Sequence, residues 1–163
     1  MRKLFSWRRR ADDIISSTLY DQDTFYRTFL KDISLCQSQL IIESPFITER
    51  RMNALLPTLQ RLRRKGIHII VNTRNPEEHE GIYQDQANEA VAQMQACGIK
   101  VLYTAGHHRK LAIIDNYTVW EGSLNILSFN DSCEIMRRIT STTLAQQLVQ
   151  FIAVGKHTGG VPS

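Results

Sequence analysis

Six residues between His108 and Asn125 bring together side chains suited to handling a phosphate. The imidazole of His108 is a nucleophile, and the Lys110 ammonium two positions on is a cation for anionic oxygens. Ser123 and Asn125, again two apart, supply hydrogen-bonding groups, and Gly122 before them lets backbone approach without a Cβ in the way. Asp115 closes an apolar run at a turn position, where a carboxylate braces backbone amides. A metal-dependent route would need carboxylates converging on a divalent ion, and no His-Glu-x-x-His occurs. What these residues offer is a nucleophilic imidazole next to a fixed cation, and no metal or cofactor is expected.

Positioning these groups calls for a hairpin. Residues 111–114 are apolar and 117–121 aromatic and β-branched, which predicts strand–turn–strand. Side chains two apart on a strand share a face, so His108 and Lys110 point one way, as do Ser123 and Asn125. A two-residue turn at Asp115-Asn116 sets Ser123 opposite His108 and Glu121 opposite Lys110. A four-residue loop sets Asn125 opposite His108 and Ser123 opposite Lys110. Either even loop gathers all four polar groups on one face, and an odd loop with a bulge would break that parity.

The spacing H-x-K-x4-D-x6-G-S-x-N, met without gap or substitution, resembles the signature of the phospholipase D superfamily. The order of strands and helices around it is similar to one lobe of that family. The resemblance implies that His108 attacks phosphorus to form a phosphohistidine that water resolves, while Lys110 and Asn125 hold the non-bridging oxygens and Ser123 donates or orients. It also implies a carboxylate downstream of the signature that fixes the histidine tautomer. Glu134, nine positions beyond Asn125, is the candidate, with Glu121 competing. Asp115 and Gly122 are structural support. His107 alternates to the opposite face of the strand. Such sites use two histidines, yet none of His68, His79 and His157 has a lysine two positions later. The resemblance therefore implies a two-fold homodimer in which the His108 residues of both copies meet.

At 163 residues the chain is one domain by length, and 42% hydrophobic residues are enough for a core. The net charge of +4 leans towards a polyanionic partner without proving one. Cys36, Cys97 and Cys133 are widely spaced, which argues against a disulfide framework or zinc knuckle and suits a reducing compartment. Residues 1–20 form a basic N-terminal segment with five basic residues in its first ten, 21–155 the catalytic domain and 156–163 a loose tail. Phe5 and Trp7 could touch membrane headgroups or stack on bases, though a solvated tail is the plainer reading. No apolar window reaches membrane-spanning length.

Along the chain, helices are expected at 23–35, 52–65, 86–96 and 143–154, and strands at 39–46, 67–72, 99–103 and 133–139. Glu43 and Ser44, ending the first of these strands, either face the site or close the strand. Arg61, Arg63, Arg64 and Lys65 crowd one helix end, where they complement the helix dipole or form a nucleic-acid-facing patch. The alternation predicts an α/β fold: a single phospholipase D-like lobe with a mixed β-sheet sandwiched between helices. The expected activity is a cytoplasmic, metal-independent phosphodiesterase cutting nucleic acid, DNA before RNA. A regulatory or helicase-type partner protein would restrain it. The alternatives are a phospholipase or phosphatidyltransferase and a non-catalytic nucleic-acid-binding module.

Overall fold

The computed structural model describes residues 15–129 and 131–154. Residues 1–14, with Phe5 and Trp7, and the expected tail 156–163 lie outside the described residues. The described residues contain seven strands: β1 (Ser16–Asp21), β2 (Gln39–Glu43), β3 (His68–Thr73), β4 (Lys100–Tyr103), β5 (Leu111–Ile114), β6 (Thr118–Gly122) and β7 (Ile135–Thr140). Four α-helices join them: α1 (Phe25–Ser34), α2 (Glu49–Arg64), α3 (Ile82–Ala96) and α4 (Thr142–Val154). The strands form one mixed sheet in the order β1-β7-β6-β5-β2-β3-β4. β2, β3 and β4 are parallel, and β5, β6, β7 and β1 continue the sheet antiparallel.

Alternation along the strands divides the core. Leu40, Ile42, Ala112, Ile114 and Trp120 face α1, α2 and α3, whereas Ile41, Leu111, Ile113, Val119 and Ile139 face α4. β2 is covered on both sides, which is why Leu40-Ile41-Ile42 is a continuous apolar run. On the three-helix side Trp120 is fully buried against Phe25 and Tyr20, and its Nε1 donates to Asp32 Oδ2 at 2.8 Å. Arg138 pairs with the same carboxylate at 2.6 Å.

Three expectations need correction. The boundary placed at residue 20 falls inside β1, an edge strand whose residues are mostly exposed and so carry no apolar pattern. α3 begins at Ile82, a turn earlier than its pattern suggests, because Ile82 and Tyr83 point into solvent. The hairpin has an odd loop. Tyr117 N–H donates to the Ile114 carbonyl across Asp115 and Asn116, both left-handed (φ 53° and 52°). The ladder then resumes at Ile114 opposite Thr118, leaving Tyr117 as an extra residue. Leu111 therefore lies opposite Glu121, and Gly122, not Glu121, reaches across to Lys110.

Candidate active site

β2, β3 and β4 end, β5 starts, β6 ends and β7 starts at one edge of the sheet, since Glu43 pairs with both Asn72 and Leu111, and Gly122 with Met136. His108 and Lys110 enter this edge on the extended segment just before β5.

Glu43, buried at the end of β2, organises that segment. Its carboxylate accepts from His107 Nε2 at 3.1 Å, from Arg109 Nε and from Asn72 Nδ2 at 3.1 Å. Thr104 Oγ1 in turn donates to Asn72 Oδ1 at 3.0 Å. Burial pushes the Glu43 carboxyl upward, but donors from His107, Asn72 and Arg109 outweigh it and hold the group below its ordinary value. With residues 107 and 109 bound inward, 108 and 110 project outward.

His108 is exposed, and the Arg74 guanidinium lies against it, with Nη2 2.5 Å from Nε2 and 3.3 Å from Nδ1. Arg74 Nε donates to the His107 carbonyl at 2.8 Å, and Lys110 Nζ donates to the His108 carbonyl at 2.9 Å. His108, Lys110, Gly122, Arg137, Leu19 and Ile135 share the wall of an open groove of about 480 Å³. Glu121 also lines it.

Ser123 and Glu134 meet beyond β6. Ser123 Oγ donates to Glu134 Oε2 and accepts from Ile135 N–H at 3.0 Å, while Ser132 Oγ holds the other carboxylate oxygen at 2.7 Å. Gly122 makes this join possible, because a Cβ there would fall 2.0 Å from the Ile135 carbonyl oxygen. Asn125 lines an adjacent cleft of about 70 Å³ with Gln22, Arg51, Phe129 and Glu134, and its Oδ1 is buried with no hydrogen-bond partner among the described residues.

The structure thus brings His108 to Lys110 and Ser123 to Glu134. Among the described residues no hydrogen bond links His108 with Ser123, Asn125, Glu134 or Glu121. Asp115 sits past the far end of β5, a strand whose four residues span about 13 Å at strand rise. There its Oδ1 accepts from Ser38 N (2.8 Å), Ser38 Oγ (2.9 Å) and Gln39 N (3.1 Å), and its Oδ2 from Gln37 N (2.9 Å). Burial raises its carboxyl, and the amides of Gln37, Ser38 and Gln39 outweigh that and lower it.

Arg61, Arg63, Arg64 and Lys65 are also at this far end, because α2 closes just before His68, which pairs with Gln39 at the start of β2. Arg63 Nη1 donates to the Ile67 carbonyl at 2.6 Å. The basic groups near the groove are instead Arg74, Arg109 and Arg137, none of which stood out in the sequence. Arg74, one residue past the end of β3, had only its place at a strand end to mark it.

Residues 29–153 match the family described as "Cardiolipin synthase, PLD-like domain". No curated protein matches the chain in sequence. Among solved structures the chain is similar to Nuc from Salmonella typhimurium, a phospholipase D family member, with TM-score 0.68 and 18% identity over 83% of this chain and 90% of that one. It is similar to NucT from Helicobacter pylori at TM-score 0.63 and 16% identity, over 83% and 92% of the two chains. Phosphatidylserine synthase from Haemophilus influenzae matches at TM-score 0.63 and 14% identity, over 90% of this chain and 40% of the synthase.

Proposed function

The chain belongs to the phospholipase D superfamily, and from that premise we propose that it is a metal-independent nuclease acting on DNA in a site shared by two copies of itself. The observation that carries this reading is the groove on which His108 and Lys110 stand together with Arg74 against the imidazole. In the first step His108 Nε2 gives its lone pair to phosphorus, the P–O bond to the leaving oxygen breaks, and that oxygen takes a proton from the second copy's histidine. Water then attacks the phosphohistidine, gives up its proton to the same second histidine, and returns His108 to its free form. Lys110 neutralises the non-bridging oxygens throughout, and Asn125 completes the set in the dimer by donating from its Nδ2. Cations around the nucleophile suit a polyanionic substrate. The chain also spans nine-tenths of Nuc and NucT but under half of the synthase.

A lipid phosphodiester is the second reading, favoured by Leu19 and Ile135, each about half exposed on the groove wall. Purified protein incubated in EDTA with plasmid, with single-stranded DNA and with phosphatidylcholine vesicles separates the two. Cleavage of DNA that survives chelation is expected. DNA cleavage lost in EDTA and restored by Mg²⁺, or headgroup release alone, would overturn the nuclease reading.

A further inference from the structure

We propose that Arg74 is a phosphate ligand of this site, one that rests on the nucleophile in the free protein and exchanges it for the substrate. The proposal rests on the reading that phosphodiesters bind at His108.

Three features of the geometry support it. The Arg74 Nη2 lies 2.5 Å from Nε2 and 3.3 Å from Nδ1 of His108, so the guanidinium occupies space beside the ring nitrogens that a phosphate must enter. A guanidinium only donates, and it leaves that place when its donors find a better acceptor. A phosphate oxygen, charged and accepting from a planar fork, is such an acceptor.

Arg74 is free to make the exchange because it has no competing anion. Among the described residues the ion pairs are His107–Glu43, Arg109–Glu43 and Arg138–Asp32, and none involves Arg74. Its positive charge is felt nearby: His79 is held below its ordinary value first by burial and then by Arg74.

The side chain is also anchored at Nε, while its Nη2 tip rests on the imidazole rather than on an anion. Nε stays on the His107 carbonyl at 2.8 Å, and Cζ lies 5.1 Å from the centre of the Phe46 ring. A turn of the fork about this anchor moves Nη2 from imidazole to phosphate while the attachment to the residue before the nucleophile remains.

The test is titration of the full-length protein with inorganic phosphate, following the His108 ring nitrogens by NMR, in wild type, Arg74→Gln and Arg74→Lys. Phosphate should shift the wild-type Nε2 resonance. Arg74→Gln should weaken phosphate binding about tenfold or more, and Arg74→Lys by less, because it keeps the charge and loses the fork. Melting curves establish that the variants are folded, and should the glutamine variant fail to fold, the lysine variant carries the decision. Wild-type affinity in the folded variant, or a wild-type Nε2 that ignores phosphate, overturns the proposal. Absence of DNA cleavage with the phosphate defect intact leaves Arg74 as assigned and removes the nuclease reading instead.

Discussion

Glu43 and His107 meet at 3.1 Å in the buried end of β2, one residue short of the exposed imidazole of His108. Arg109 closes on the same carboxylate from the other side of His108. The nucleophile candidate is therefore held between two residues that are both tied down, which fixes its direction through the backbone.

Glu43→Gln should expose this dependence. The substitution keeps shape but leaves Arg109 without its anion, and loss of one partner from a largely buried pair costs about 3 kcal/mol. Urea denaturation should show that loss, and turnover should fall further than phosphate affinity because His108 loses its aim. A Gln variant as stable and active as wild type would remove Glu43 from any positioning role.

Acid should destabilise the fold through two carboxylates. Glu43 and Asp115 both sit below their ordinary values when folded. Their contribution is complete above the ordinary carboxylate range, about pH 4, and is lost as pH falls through that range towards their lowered values. Asp115→Asn should flatten the stability profile below about pH 4 and lower the plateau above it. An unchanged acid limb in this variant would refute the account.

At Gly122 the constraint is space. The Ile135 carbonyl would lie 2.0 Å from an added Cβ. Gly122→Ala should part β6 from β7 and lower stability by about 2 kcal/mol or more. A melting temperature within a degree of wild type would show that the strands yield freely.

For the shared site, His108→Ala should cut turnover by at least about 10^3-fold with the fold intact, and Lys110→Ala should act in the same direction. Mixing wild type with excess His108→Ala should depress activity more steeply than the wild-type fraction falls, since a mixed dimer lacks nucleophile or acid. A strictly proportional decline, or an active monomer by light scattering, would exclude the two-copy site.

The signature and its α/β setting were legible because both rest on local spacing: two-residue alternation in the strands and helical periodicity between them. The hairpin register was not. It depends on whether Asp115 and Asn116 both turn left-handed and where the extra residue settles, and Tyr117 carries no sign of that role. Arg61, Arg63, Arg64 and Lys65 stood out as a charge cluster, yet the sense of α2 carries them away from the groove. Arg74 carries no mark in the sequence, because a lone arginine after a strand acquires meaning only when β3 and the segment 107–110 are brought side by side. The start of helix α3 and strand β1 leave no apolar pattern for one reason, side chains that face solvent.

The signature is a single string in the sequence, but β5 carries its two parts to opposite ends of the sheet. His108 and Lys110 stand at the groove, and Asp115 ties down the loop 37–39 at the other end. A mutational scan that records abundance in the cell beside activity per molecule would therefore split the motif. Changes at Asp115 would deplete the protein and spare each surviving molecule, whereas changes at His108 would leave the cell full of inert copies.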